Sequence, residues 1–146
     1  MNLEIKPYIG VGPIRFGMTR DEVLRIVGHP VITVKPFLKG PHAGIPTDAF
    51  DELGIHVFYK IGYLCEAIEM YLAADPTFNG QRLIERPFDE LFTWLRTLDD
   101  NVKVDDTGLT SFKLGFGLYA PSCEESPSDA VEAVIAFESG YYDTHG

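Results

Sequence analysis

The chain has 146 residues, 45% of them hydrophobic and 23% charged, which is ordinary globular usage and excludes a disordered or fibrous chain. Its 22 acidic residues against 12 basic ones give a net charge of −10, so the clustered Lys and Arg that phosphate contacts require are missing. Nucleic acid and an anionic membrane surface are therefore disfavoured as direct ligands.

The N-terminal residues Met1-Asn2-Leu3-Glu4-Ile5-Lys6-Pro7 lack a charged leader followed by an apolar core, and no apolar run reaches the ~20 residues of a membrane span. A cytoplasmic protein is expected. Gly10-Val11-Gly12-Pro13 leads into an extended run instead of a helix, which reads as turn punctuation and not as a phosphate cradle.

The first helix is predicted over residues 19–27. Thr19 and Glu22 have the spacing of a capping box, Met18 and Val23 that of a hydrophobic staple, and Gly28 followed by Pro30 supplies the stop. A β-branched run, Val31-Ile32-Thr33-Val34, precedes a Pro- and Gly-rich loop over residues 36–46. Strands are predicted over 54–61 and 64–72, joined at Gly62-Tyr63.

The second half runs through the same order: a helix over 87–98 with Pro in its first turn, a short strand over 102–104, a turn over 105–108, then strands over 114–120 and 131–138. Asp21-Glu22-Val23-Leu24 answers Asp89-Glu90-Leu91-Phe92, Leu53-Gly54-Ile55 answers Leu114-Gly115-Phe116, and Glu66-Ala67-Ile68 answers Glu132-Ala133-Val134. The expectation is one α+β domain over residues 1–146. It is built from pseudo-repeats over about 10–75 and 76–146, two tandem helix-plus-antiparallel-meander units with the helices packed on antiparallel sheet.

The segment Ile14-Arg15-Phe16-Gly17-Met18-Thr19-Arg20-Asp21-Glu22-Val23-Leu24-Arg25-Ile26-Val27-Gly28 resembles the opening motif of the β-lactamase inhibitory protein fold. It is also similar to the small lipoproteins of the outer-membrane barrel-assembly machinery, which share the Gly-Met-Thr start and the helix-ending Gly followed by Pro. That resemblance implies helices on an antiparallel sheet and a binding or scaffolding role without catalysis.

No nucleophile constellation stands out. The histidines at 29, 42, 56 and 145 have no ligand spacing, Cys65 and Cys123 belong to no metal or disulfide motif, and no cofactor or metal is expected. Asp99-Asp100 and Asp105-Asp106 read as solvated turns at either end of an edge strand, since an EF-hand loop needs a different pattern.

Alternation places Ile55, Val57, Tyr59 and Ile61, with Phe116, Leu118 and Ala120, beneath the helices. His56, Phe58 and Lys60, with Gly117 and Tyr119, then face the other way. Val131, Ala133, Ile135 and Phe137 read as core, which leaves Glu69 at a rim or in a pocket. The candidate partner-binding residues are His56, Phe58, Glu69, Tyr119, Tyr141 and Tyr142, an aromatic centre with an acidic rim.

The function expected is a non-catalytic acidic binding protein, of the immunity type that occludes a basic toxin. A pocket between the halves using Glu69, His56 or Tyr119 would mean an enzyme or a small-ligand binder. A third possibility is a self-associating structural subunit.

Overall fold

The computed structural model describes residues 1–34 and 45–145, so most of the predicted 36–46 loop lies outside the described residues. In chain order the elements are β1 (Ile5–Lys6), β2 (Gly10–Val11), β3 (Ile14–Arg15), α1 (Arg20–Val27), β4 (Ile32–Val34), β5 (Thr47–Phe50), β6 (Ile55–Lys60) and β7 (Leu64–Tyr71). They continue with β8 (Thr77–Phe78), β9 (Gln81–Arg82), α2 (Phe88–Leu98), β10 (Lys103–Asp105), β11 (Gly108–Ser111), β12 (Phe116–Tyr119), β13 (Ala133–Phe137) and α3 (Tyr141–His145).

The expected α+β arrangement of two tandem helix-plus-meander units is not what the chain adopts. Among the described residues it is mostly β, 38% strand against 17% helix, with three small helices and one continuous sheet of eight antiparallel strands in the order β10-β11-β12-β13-β7-β6-β5-β4. The junction is the pairing of β13 with β7, in register from Ala133 opposite Tyr71 to Phe137 opposite Ala67. A pairing between residues more than sixty positions apart leaves no local trace in sequence, which is why separate units were expected.

Helix α1 forms for local reasons. The Thr19 hydroxyl accepts from the Glu22 N–H at 3.2 Å, the Glu22 carboxylate accepts from the Thr19 N–H at 3.2 Å, and Gly28 ends the helix at φ 64°. Helix α2 has no side-chain cap. Its first-turn N–H groups donate instead to loop carbonyls, Phe88 to Asp129 and Asp89 to Pro127, both at 2.9 Å. Pro87 stands just before the helix and not in its first turn.

One face of the sheet buries Phe50, Ile55, Val57, Ile68, Met70, Phe116, Leu118, Val134 and Ala136, and Val23 and Val27 of α1 and Leu91 and Leu95 of α2 join the same core. Ile5, Val11 and Ile14 from the small β1-β2-β3 sheet complete it. Each fully buried aliphatic side chain contributes roughly 1.5–3 kcal/mol. Ile61, expected in this core, lies beyond the end of β6 and is 80% exposed. No helix among the described residues is long and apolar enough to cross a membrane.

Two carboxylates are built into this side. Asp48 is fully buried and accepts from Arg20 Nε at 2.8 Å, Arg20 Nη2 at 3.0 Å, Thr33 Oγ1 at 3.2 Å and the Tyr59 hydroxyl at 2.9 Å, which ties α1 to β4, β5 and β6. Asp99, expected in a solvated turn, is instead 3% exposed and accepts from Ser111 Oγ at 2.7 Å and the Asn101 N–H at 2.9 Å. A β11 strand that turns Ser111 inward was not foreseen, and it supplies the donor that lets the carboxylate be buried.

Candidate functional site

The opposite face of the sheet is read off the strand register. Ala49, His56, Glu69, Ile135, Gly117, Thr110 and Lys103 stand in one row across seven strands. The row on one side holds Phe58, Ala67 and Phe137, and the row on the other holds Tyr71, Ala133, Tyr119, Gly108 and Asp105. Period-2 alternation puts all of them on the side away from the apolar core that α1 and α2 share.

This register corrects one expectation for β13. Its core-side residues are Val134 and Ala136, whereas Ala133, Ile135 and Phe137 belong to the open face. A bulge in the β6-β7 pairing between Phe58 and Tyr59 explains the mixed pattern of β7: Cys65 stands opposite Tyr59 on the core side, while Ala67, Glu69 and Tyr71 turn outward. Phe137 is nevertheless 2% exposed, because aromatic rings cover it.

Those rings come from both ends of the chain and from the β11-β12 turn. Tyr8, Phe112, Tyr141 and Tyr142 all pack on Phe137, with centroid separations of 6.0, 6.2, 5.9 and 4.9 Å. They fasten the short helix α3 onto the open face. Burial, with Glu66 nearby, pushes the Tyr141 hydroxyl up to about 12, and burial beside Asp105 raises Tyr142.

The structure therefore brings the six candidate residues to one side of one sheet. His56 and Glu69 are in contact, Nδ1 to Oε1 at 3.3 Å, and Tyr71 packs on the His56 ring at 4.8 Å while donating its hydroxyl to Asp51 at 2.9 Å. Phe58 is half-buried beside His56, their rings edge to face at 6.4 Å. Tyr119 is 47% exposed, so it is not sealed between two halves. Tyr141 and Tyr142 are half-buried on α3.

Burial and the Asp51 hydrogen bond push the Tyr71 hydroxyl up to about 12, and burial pushes the Cys65 thiol up to about 12, so both stay neutral near pH 7. Glu66 and Glu132, which answer each other in the internal echo, differ in setting: Glu66 is 3% exposed and Glu132 is exposed just outside β13. Among the described residues no group of three or more His, Cys, Asp or Glu is placed to hold a metal ion.

Sequence reading missed the part of the face around Asp105, Gly108, Thr110 and Ile135. These residues line, with Glu69, Gly117, Tyr119 and Tyr142, a depression of about 150 Å³. Only the alternation of β11, a strand not recognised, would have disclosed it. Comparison with protein-family models, curated proteins and solved structures gave no match, so the resemblance to inhibitory and barrel-assembly proteins rests on residues 14–28 alone.

Proposed function

We propose that the chain is a non-catalytic acidic binding protein that engages a basic protein through the open face of its sheet. In its most concrete form it is a cytoplasmic immunity-type protein that neutralises a basic toxin by occluding the toxin's active site. The observation that carries this reading is the gathering of His56, Phe58, Glu69, Tyr119, Tyr141 and Tyr142 on one side of one continuous sheet, with Tyr119 47% exposed. Aromatic side chains framed by charge are what interface centres are made of.

The size of the depression favours a surface contact over an enclosed small ligand, since about 150 Å³ falls well short of the roughly 300–1,000 Å³ of ligand pockets. The net charge of −10 accelerates encounter with a cationic target. The test is a pull-down against the products of neighbouring genes, followed by association rates over a salt series. A rate that falls steeply with salt is expected. A rate indifferent to salt removes the basic partner, and a stable homodimer in light scattering with no other partner assigns the face to self-association instead.

A further inference from the structure

The depression on the open face has a construction of its own. In the row Asp105–Gly108–Tyr119 a glycine stands between a carboxylate and an aromatic ring, and in the next row Gly117 stands between Thr110 and Ile135. Neighbouring strands lie about 4.8 Å apart, so each glycine leaves a gap one side chain wide between residues roughly 10 Å from each other. At Gly108 the backbone requires the missing side chain, since a Cβ there would fall 1.9 Å from the Leu118 carbonyl oxygen; at Gly117 a Cβ would be tight, 3.0 Å from the Leu109 carbonyl oxygen and 3.3 Å from Thr110 Oγ1.

Tyr142 borders the trough from above the sheet. Its ring meets Phe137 at 4.9 Å and Phe112 at 5.5 Å, both edge to face, so it is a fixed wall. Glu69, on β7, stands at one end, and Asp105, on β10, at the other. Among the described residues neither carboxylate is paired with a Lys or Arg: Glu69 touches His56, and Asp105 accepts from the N–H and hydroxyl of Thr107.

We infer that this trough is the receptor for an arginine side chain of the basic partner, an assignment that rests on the binding reading above. The guanidinium lies at the Asp105 end against the rings of Tyr119 and Tyr142, and Glu69 adds negative potential from the other end. A trough of about 150 Å³ has room for one long side chain and little else. A planar cation that stacks on tyrosine faces while donating a fork of N–H groups to a carboxylate suits these walls better than the compact ammonium of lysine. The floor of Gly117 and Ile135 gives the aliphatic stem an apolar bed.

The probes are three peptides of equal length, oligo-arginine, oligo-lysine and oligo-citrulline, titrated into the isotope-labelled full chain. The variants are E69Q/D105N in the trough and D89N/E90Q on α2, which remove the same amount of charge from opposite sides of the sheet. Amide shifts concentrated at residues 105–110, 117–119 and 135 are expected, with arginine bound more tightly than lysine and citrulline not at all. E69Q/D105N should weaken oligo-arginine about tenfold or more, as loss of charge-assisted hydrogen bonds does, and D89N/E90Q less than about twofold.

Y119L, which removes a ring and leaves both acids, should reduce the preference for arginine over lysine. Equal weakening by the two double variants would mean attraction by net charge alone and would overturn the assignment. Shifts centred elsewhere would overturn it as well. If the trough variants bind a basic neighbouring-gene product normally while F58A and H56A do not, the trough falls and the open-face reading survives; if no basic protein binds the wild type, both fall.

Discussion

Asp48 shows how much one buried side chain organises. Its two oxygens take four hydrogen bonds from Arg20, Thr33 and Tyr59, so its removal leaves a buried phenol without its acceptor and leaves Arg20 with Thr33 alone. D48A should cost about 2–3 kcal/mol in denaturant unfolding, as loss of hydrogen bonds to a buried charged group does, whereas Y59F, which leaves the other donors in place, should cost about 1 kcal/mol. The tyrosines set the alkaline limit. Tyr71 and Tyr141 are each raised to about 12 in the folded chain, from an ordinary value of 10.0. A raised value favours the protonated form in the folded state, so that contribution is complete below pH about 10 and is lost as pH climbs through about 12. Tyrosinate absorbance and far-ultraviolet circular dichroism followed together should show ionisation and unfolding advancing in that window. Free titration of all tyrosines near pH 10 with the fold retained would contradict it.

Elements that carry their own signals were legible in the sequence, and those that depend on distant partners were not. Helix α1 was readable because Thr19, Glu22 and Gly28 specify both its ends; T19A should cost about 1 kcal/mol in thermal or denaturant unfolding. Helix α2 was readable from its apolar stripe, but its start was not, since the loop carbonyls of Pro127 and Asp129 do the capping. Deleting residues 126–129 should therefore speed hydrogen exchange at the Phe88 and Asp89 amides while leaving the α1 amides unchanged. Strands of two to four residues such as β1, β5 and β11 are too short for a period to emerge. In β13 both faces are apolar, one with Val134 and Ala136 in the common core and the other beneath the rings on Phe137, so alternation had no polar marker from which to choose a side. The candidate site was half legible for the same reason: the six residues of β6 alternate cleanly and give His56 and Phe58 a common face, whereas Tyr119 lies on the four-residue β12, and Asp105, Gly108 and Thr110 sit on strands that sequence alone did not separate from turns.

At the scale of the whole molecule, joining β7 to β13 makes a single sheet with one side given to the apolar core and the other left to a short helix, aromatic rings and acids. Under the proposed function the second side is the one that meets a basic partner. Affinity for that partner should be measured for F58A and Y119A on the open face and for T93A and R96A on the exposed side of α2, each checked for unchanged melting temperature. The open-face variants should lose about tenfold or more in affinity, mostly through faster dissociation, and the α2 variants should bind like the wild type. Full affinity in F58A and Y119A, with the loss confined to T93A and R96A, would contradict the account.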